Sequence, residues 1–186
     1  MNIDVILDQI FLLPERSKSV LKNLISEVEF PKDTMIIKAG KVEKTIYFIK
    51  RGIVRAFVPQ ENQDLTFWFG KENDVVLPMK SYVDNHQNYE NIQLLEDCIF
   101  YQLRIDDLRQ LFETDVNIAN WGRKLAEKEL VKTEELYISR QFKTASQRYE
   151  ELLTKQPEII QRVQLGYIAS YLGITQVSLS RIRSEI

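Results

Sequence analysis

The sequence predicts an α+β chain in three parts: a jelly-roll β domain, one long helix, and a small helical domain that ends in a helix-turn-helix. Three observations predict it. Short β-branched and aromatic segments, each ended by turn residues, crowd the stretch from residue 34 to residue 103. The apolar period then changes to 3.6 residues and holds from Val116 to Phe142. Finally, the stretch Val163 to Arg183 alternates an apolar helix face, a glycine turn and a second helix face. The boundaries predicted are 1–113 for the β roll, 114–142 for the long helix and 143–186 for the C-terminal domain.

Residues 3–29 read as helical. Leu13-Pro14-Glu15 suits a helix start, and Val20, Leu21, Leu24, Ile25 and Val28 follow at 3–4 spacing. From Phe30 the pattern becomes β. Thr34–Ile37 is a short strand, and Ala39-Gly40-Lys41 turns the chain. Thr45–Lys50 and Ile53–Val58 flank Arg51-Gly52, which reads as a hairpin turn. Leu65–Phe69, Val75–Leu77, Ile92–Leu95 and Cys98–Leu103 are further strands, and Asp106–Phe112 is a short helix.

A helix from Val116 to Phe142 would span about 40 Å at ~1.5 Å per residue, more than a roll of this size needs to cover it. Ile118, Trp121, Gly122, Leu125 and Ala126 form its apolar face, continued by Leu130 and Tyr137. Large residues mixed with Gly and Ala admit a close second helix, so this face is the expected homodimer seam. Thr144 and Gln147 make a capping box for the next helix, which leaves Phe142-Lys143 as a hinge.

In the last segment Ile168, Ala169 and Leu172 share a face, Gly173 ends the helix, and Ile174 fills the angle. Thr175 caps a second helix whose Leu179, Ile182 and Ile186 turn inward. Gln176, Val177, Ser180, Arg181 and Ser184 are then left facing outward. A short helix with Gln and Arg on its outer face suits the DNA major groove, where both make bidentate bonds to bases.

Composition narrows the classes. Hydrophobic residues make up 44% of the chain, enough for a core, yet no apolar run approaches the ~18 residues of a membrane span. The start, Met1-Asn2-Ile3-Asp4, lacks the basic region of a secretion signal. A single cysteine, Cys98, fits a reducing cytoplasm. With one histidine, His86, beside it, no metal site or cofactor is expected. The chain carries no nucleophile motif and no phosphate-cradling glycine loop, so an enzyme is not expected. From residue 140 onward seven Lys/Arg face four acids, a mildly basic end on an otherwise acidic chain.

The order of these parts resembles the CRP/FNR family of bacterial transcription regulators over essentially the whole chain. Ala39-Gly40-Lys41 through Tyr47-Phe48-Ile49 to Gly52-Ile53-Val54-Arg55 is similar to the start of that family's cyclic-nucleotide-binding fold. Leu172-Gly173-Ile174-Thr175 with Ser178-Leu179-Ser180-Arg181 is similar to its turn and recognition helix. The resemblance implies that Gln176, Val177 and Arg181 read base edges, that Thr175 and Ser178 lie near phosphates, and that Ser180 shares the DNA face. It also implies a two-fold DNA site, a homodimer, and RNA polymerase as a further partner, with no membrane. Val177 replaces the acidic residue often found at its position, so the best-known target sequence is not implied.

The effector motif departs from the family. Cyclic-nucleotide binders carry Gly-Glu after a strand and then Arg-Ser/Thr-Ala, which together hold the ribose hydroxyl and the phosphate. Here Asp74-Val75-Val76 is followed by Leu77-Pro78, and Asn88-Tyr89-Glu90 stands at the phosphate position. No arginine lies between Arg55 and Arg104, so Lys71 or Lys80 would have to substitute. Tight cyclic AMP binding is not expected. An unknown small-molecule effector would be lined by Tyr47, Phe67, Phe69, Leu77, Pro78, Tyr82 and Tyr89. The alternative is a ligand-binding or interaction protein whose helix-turn-helix no longer reads DNA. In its favour, the sequence lacks the C-terminal part of the wing with which relatives grip phosphates.

Overall fold

The computed structural model describes residues 2–61 and 64–185. Two short helices, α1 (Ile3–Ile10) and α2 (Glu15–Lys22), precede strand β1 (Ser26–Phe30). The predicted helix therefore ends at Lys22, seven residues early. Ser26-Glu27-Val28-Glu29-Phe30 alternates with period two, and Val28 sits opposite Phe100 in an antiparallel ladder. Its 3–4 spacing from Leu24 and Ile25 had imitated a helix face.

Two four-stranded antiparallel sheets make the roll, using β2 (Met35–Ile37), β3 (Thr45–Arg51), β4 (Val54–Val58), β5 (Leu65–Gly70), β6 (Val75–Val76), β7 (Asn91–Leu94) and β8 (Cys98–Arg104). Their orders are β1-β8-β3-β6 and β2-β7-β4-β5. The predicted β3–β4 hairpin is corrected: the two strands lie in opposite sheets, β3 paired with β8 and β6, β4 with β5 and β7. Gly52 (φ 114°) carries the chain between sheets rather than back along one. A Cβ there would lie 2.3 Å from Cys98 Sγ, so glycine is needed for space as well as for conformation.

Strand β5 holds the key irregularity. Ala56 faces Trp68 while Phe57 faces Thr66, so Phe67 is an extra residue, a bulge. Phe67 and Trp68 both pack on the interior of the roll, and Phe69 packs instead on the C-terminal domain. The roll interior is filled by side chains. Tyr47 and Phe100 meet edge-on at 5.6 Å and Phe30 lies against both, beside Ile49, Val54 and Leu94.

After the short helices α3 (Met79–Asp84) and α4 (Ile105–Thr114) comes α5, which runs Val116–Phe142 as predicted. Asp115 caps it, its carboxylate accepting the Asn117 and Ile118 N–H groups. The face predicted to pair two copies is corrected. Ile118, Trp121, Gly122 and Leu125 are all buried within their own chain, against α1, α4 and β3. Trp121 is fully buried, donates its indole N–H to the Leu7 carbonyl at 3.1 Å and touches Phe48. Gly122 lets the Phe112 ring lie where a Cβ would sit. Ala126 alone of the five stays half-exposed.

The C-terminal domain comprises α6 (Ala145–Lys155), α7 (Pro157–Arg162), α8 (Leu165–Leu172) and α9 (Gln176–Glu185). The Thr144–Gln147 capping box is present in both directions. Its core of Tyr149, Leu152, Ile159, Ile168, Leu172 and Leu179 also takes in Ile53 and Phe69 from the roll. No helix among the described residues is long and apolar enough to cross a membrane.

A candidate nucleic-acid interface and the roll interior

The helix-turn-helix is built as its sequence dictates. Gly173 (φ 67°) ends α8, and the following Ile174 N–H reaches back to the Ala169 carbonyl at 3.0 Å. Thr175 Oγ1 accepts the Ser178 N–H at 3.2 Å and lies 3.0 Å from its hydroxyl, closing the first turn of α9. Leu179 is fully buried and Ile182 half-buried, which fixes the helix rotation; Ile186 lies outside the described residues. Gln176, Val177, Ser180 and Arg181 are consequently exposed, with Ser178 half-buried beside them. Gln176 leans over α8, where Gly166 leaves room: a Cβ on that glycine would come within 2.5 Å of Gln176 Nε2. Arg183, not singled out in the sequence, is exposed on the same helix, and its place near the α9 C-terminus was the available signal.

This domain is clamped to the roll through β5. Ser170 Oγ accepts the Thr66 N–H at 2.9 Å and donates to the Asp64 carbonyl at 2.6 Å. The buried Arg55 guanidinium pairs with Asp64 and lies between the rings of Phe57 and Tyr167, at 4.0 and 4.1 Å. Arg162 donates to both Glu72 oxygens at 2.9 and 3.1 Å and also pairs with Glu96, while Lys71 pairs with Glu158. Burial raises the Glu72 pKa, but Arg162 and the Gly52 N–H outweigh it and hold the carboxyl at about 2. None of these contacts was legible in the sequence, since their partners lie far apart along the chain.

The residues predicted to line one effector pocket are dispersed. Tyr47 and Phe67 belong to the roll interior, Leu77 and Tyr82 pack against the helix-covered outer core, and Phe69 contacts Tyr171 in the C-terminal core at 5.3 Å. Pro78 is buried and Tyr89 is exposed, its ring 6.4 Å from Phe67. The bulge explains Phe69: it cancels the two-residue alternation that placed Phe67 and Phe69 on one face.

Asn88 and Glu90, which the sequence resemblance set at a phosphate position, are buried, 3% and 7% exposed. Asn88 Nδ2 donates to Ser81 Oγ at 2.9 Å, while Asn88 Oδ1 and Glu90 Oε2 have no protein partner. Burial pushes the Glu90 carboxyl up. Of the lysines considered as substitutes, Lys71 is tied to Glu158 and Lys80 lies over the Tyr89 ring. Burial pushes the Cys98 thiol up to about 12, which suits a core residue rather than a reactive one. His86 is exposed in its loop.

Comparison with protein families matches residues 27–115 to the cyclic nucleotide-binding domain. The sequence matches no curated protein. The fold is similar to FixK2 from Bradyrhizobium japonicum, with TM-score 0.72, 20% identity, and 87% of this chain and 83% of that one covered. It is also similar to the c-di-GMP responsive global regulator CLP of Xanthomonas campestris, with TM-score 0.71, 16% identity, and 92% and 91% covered. The Thermus thermophilus catabolite activator protein matches with TM-score 0.59, 16% identity, and 95% and 84% covered.

Proposed function

We propose that this chain, a cyclic nucleotide-binding domain followed by the long helix and terminal helices of the CRP/FNR regulator fold, is a DNA-binding transcription regulator that acts as a homodimer. One observation carries the reading. In a correctly capped helix-turn-helix, the outer face of α9 presents Gln176, Val177, Ser180 and Arg181 to solvent, with no ion pair to Arg181 among the described residues. Inserted in a major groove, Arg181 suits a guanine edge and Gln176 an adenine. Thr175 and Ser178, at the helix N-terminus, suit a phosphate.

The dimer seam keeps Ala126, Leu130 and Tyr137 of the face first expected but turns away from Ile118, Trp121, Gly122 and Leu125, which their own chain buries. Val116, Ala119, Arg123, Ala126, Leu130, Thr133 and Tyr137 recur at alternating steps of three and four. Val116, Leu130 and Tyr137 are 70%, 68% and 63% exposed, large apolar side chains with no cover in the single chain. Two copies joined there would present two recognition helices to two half-sites.

The sensor reading is that the roll has lost cyclic AMP. Titration calorimetry with cyclic AMP is expected to give no saturable binding in the low micromolar range, and such binding would refute this point. The DNA reading is tested by capturing sheared genomic DNA at about 150 mM salt, near physiological ionic strength. Enrichment of a short inverted repeat that vanishes with Arg181→Ala supports a sequence-reading regulator. Equal enrichment by both proteins would overturn Arg181 as a base reader.

A further inference from the structure

A cleft of about 500 Å³ opens between the roll and the C-terminal helices, bounded by β5, the last turns of α5, α6 and α8. Trp68, Phe69 and Tyr171 give it an aromatic wall. Six cationic side chains line it against three carboxylates, Asp74, Glu135 and Glu151. Two of the three acids are already engaged. Glu151 accepts from Lys143 at 2.7 Å, from Lys155 at 2.6 Å and from Ser139 at 3.0 Å. Asp74 accepts the Lys71 N–H at 3.0 Å and has Lys132 at 3.8 Å.

The two arginines in the cleft are different. Among the described residues Arg140 donates to the Thr66 carbonyl alone, at 3.1 Å, and its guanidinium lies 5.7 Å from the centre of the Tyr171 ring. Arg148 donates to the Lys143 and Leu172 carbonyls, both at 2.6 Å. Neither meets a carboxylate among the described residues, whereas the interdomain arginines Arg55 and Arg162 both do. A guanidinium has five donors, so most of Arg140's are left for something else. Burial lowers the Arg140 pKa, Tyr171 partly offsets it, and the neighbouring charge of Arg148 lowers it further.

We propose that this cleft is a binding site for a small organic phosphate, its phosphate gripped by Arg140 and Arg148 and its aromatic or apolar part laid against Trp68 and Tyr171. The volume falls within the range of ordinary small-ligand pockets, roughly 300–1,000 Å³. A planar fork matches phosphate oxygens two at a time, which a lysine cannot do. The face expected to read DNA lies elsewhere: the cleft is between the domains, and none of Thr175, Gln176, Val177, Ser178, Ser180 or Arg181 lines it. Because Arg140 is on α5, Arg148 on α6 and Trp68 on the roll, an occupant would touch both domains at once. The site goes beyond the DNA reading and is independent of it.

The test is calorimetric titration of the full chain with ATP, inorganic pyrophosphate and adenosine, without DNA. ATP is expected to saturate, pyrophosphate to bind about tenfold more weakly, and adenosine not to bind. Arg140→Gln should weaken ATP at least about tenfold with an unchanged melting temperature, and Arg181→Ala should leave it unchanged. Should Arg140→Gln unfold, Arg140→Lys keeps the charge and loses the fork, and is expected to weaken ATP severalfold. The site is refuted if none of the three probes binds up to millimolar concentration, or if the Arg140 variant that folds binds ATP as well as wild type. It is equally refuted if, in a separate titration with duplex DNA, only duplex binding responds to Arg140, since the cluster would then serve DNA phosphates.

Discussion

The two faces of α5 have similar composition and opposite fates. The inner face (Ile118, Trp121, Gly122, Leu125) is sealed inside the chain, and the outer one (Val116, Leu130, Tyr137) is open. A single helix thus serves as a core element on one side and offers a surface on the other. The difference shows that apolar spacing identifies a buried helix face without saying which molecule buries it.

The largest expected effect comes from breaking the inner face. Trp121→Ala should cost roughly 3–5 kcal/mol of unfolding free energy, read from denaturant midpoints, because it empties a fully buried site and removes the bond to Leu7. The outer face should behave oppositely. Leu130→Asp is expected to leave monomer stability within about 0.5 kcal/mol while weakening self-association at least tenfold by sedimentation equilibrium. Equal loss of monomer stability at both positions would erase the contrast between the faces.

A smaller effect sharpens the comparison at the C-terminal end, where the terminal domain is held by the clamp to the roll as well as by α5. Glu72 has its pKa lowered from 4.5 to about 2 in the folded chain, so its pairing with Arg162 stabilises fully above pH 4.5 and is lost as pH falls toward 2. After allowance for solvent screening this is about 1 kcal/mol. Arg162→Ala should flatten the acid limb of the stability–pH curve between those values, and an unchanged curve would remove Glu72 from the account. The smallest expected change is at Val177, which is 63% exposed. Val177→Ala should leave folding within about 0.5 kcal/mol, checked by thermal unfolding, and alter only which DNA sequence is enriched.

Where local chemistry decides structure, the sequence was readable. The Thr144–Gln147 box, the Gly173 turn and the full run of α5 all follow from near-neighbour rules. So does the outward set on α9, because Leu179 fixes its rotation. Where distant pairing decides, it was not. Arg51-Gly52 has the composition of a hairpin turn, but only the sheet partners of β3 and β4 show that the chain changes sheets. The bulge at Phe67 likewise has no local signature, and it alone moves Phe69 out of the roll interior and into the C-terminal core. The interdomain cleft needed Arg140, Arg148 and Trp68 brought together from three separate elements.

Strand β5 also bears on the order in which the chain assembles. The C-terminal core is not complete in itself, since Ile53 and Phe69 are two of its members, and Ser170 bonds Thr66 across 104 positions of sequence. Contacts of such long separation form late, after the costly loop between their ends has closed. The helix-turn-helix, which follows the roll in sequence, therefore condenses on a surface that the roll must already have finished. A fragment beginning at residue 143 would lack two core side chains and should fold poorly alone, so the ability to present α9 is inherited from β5.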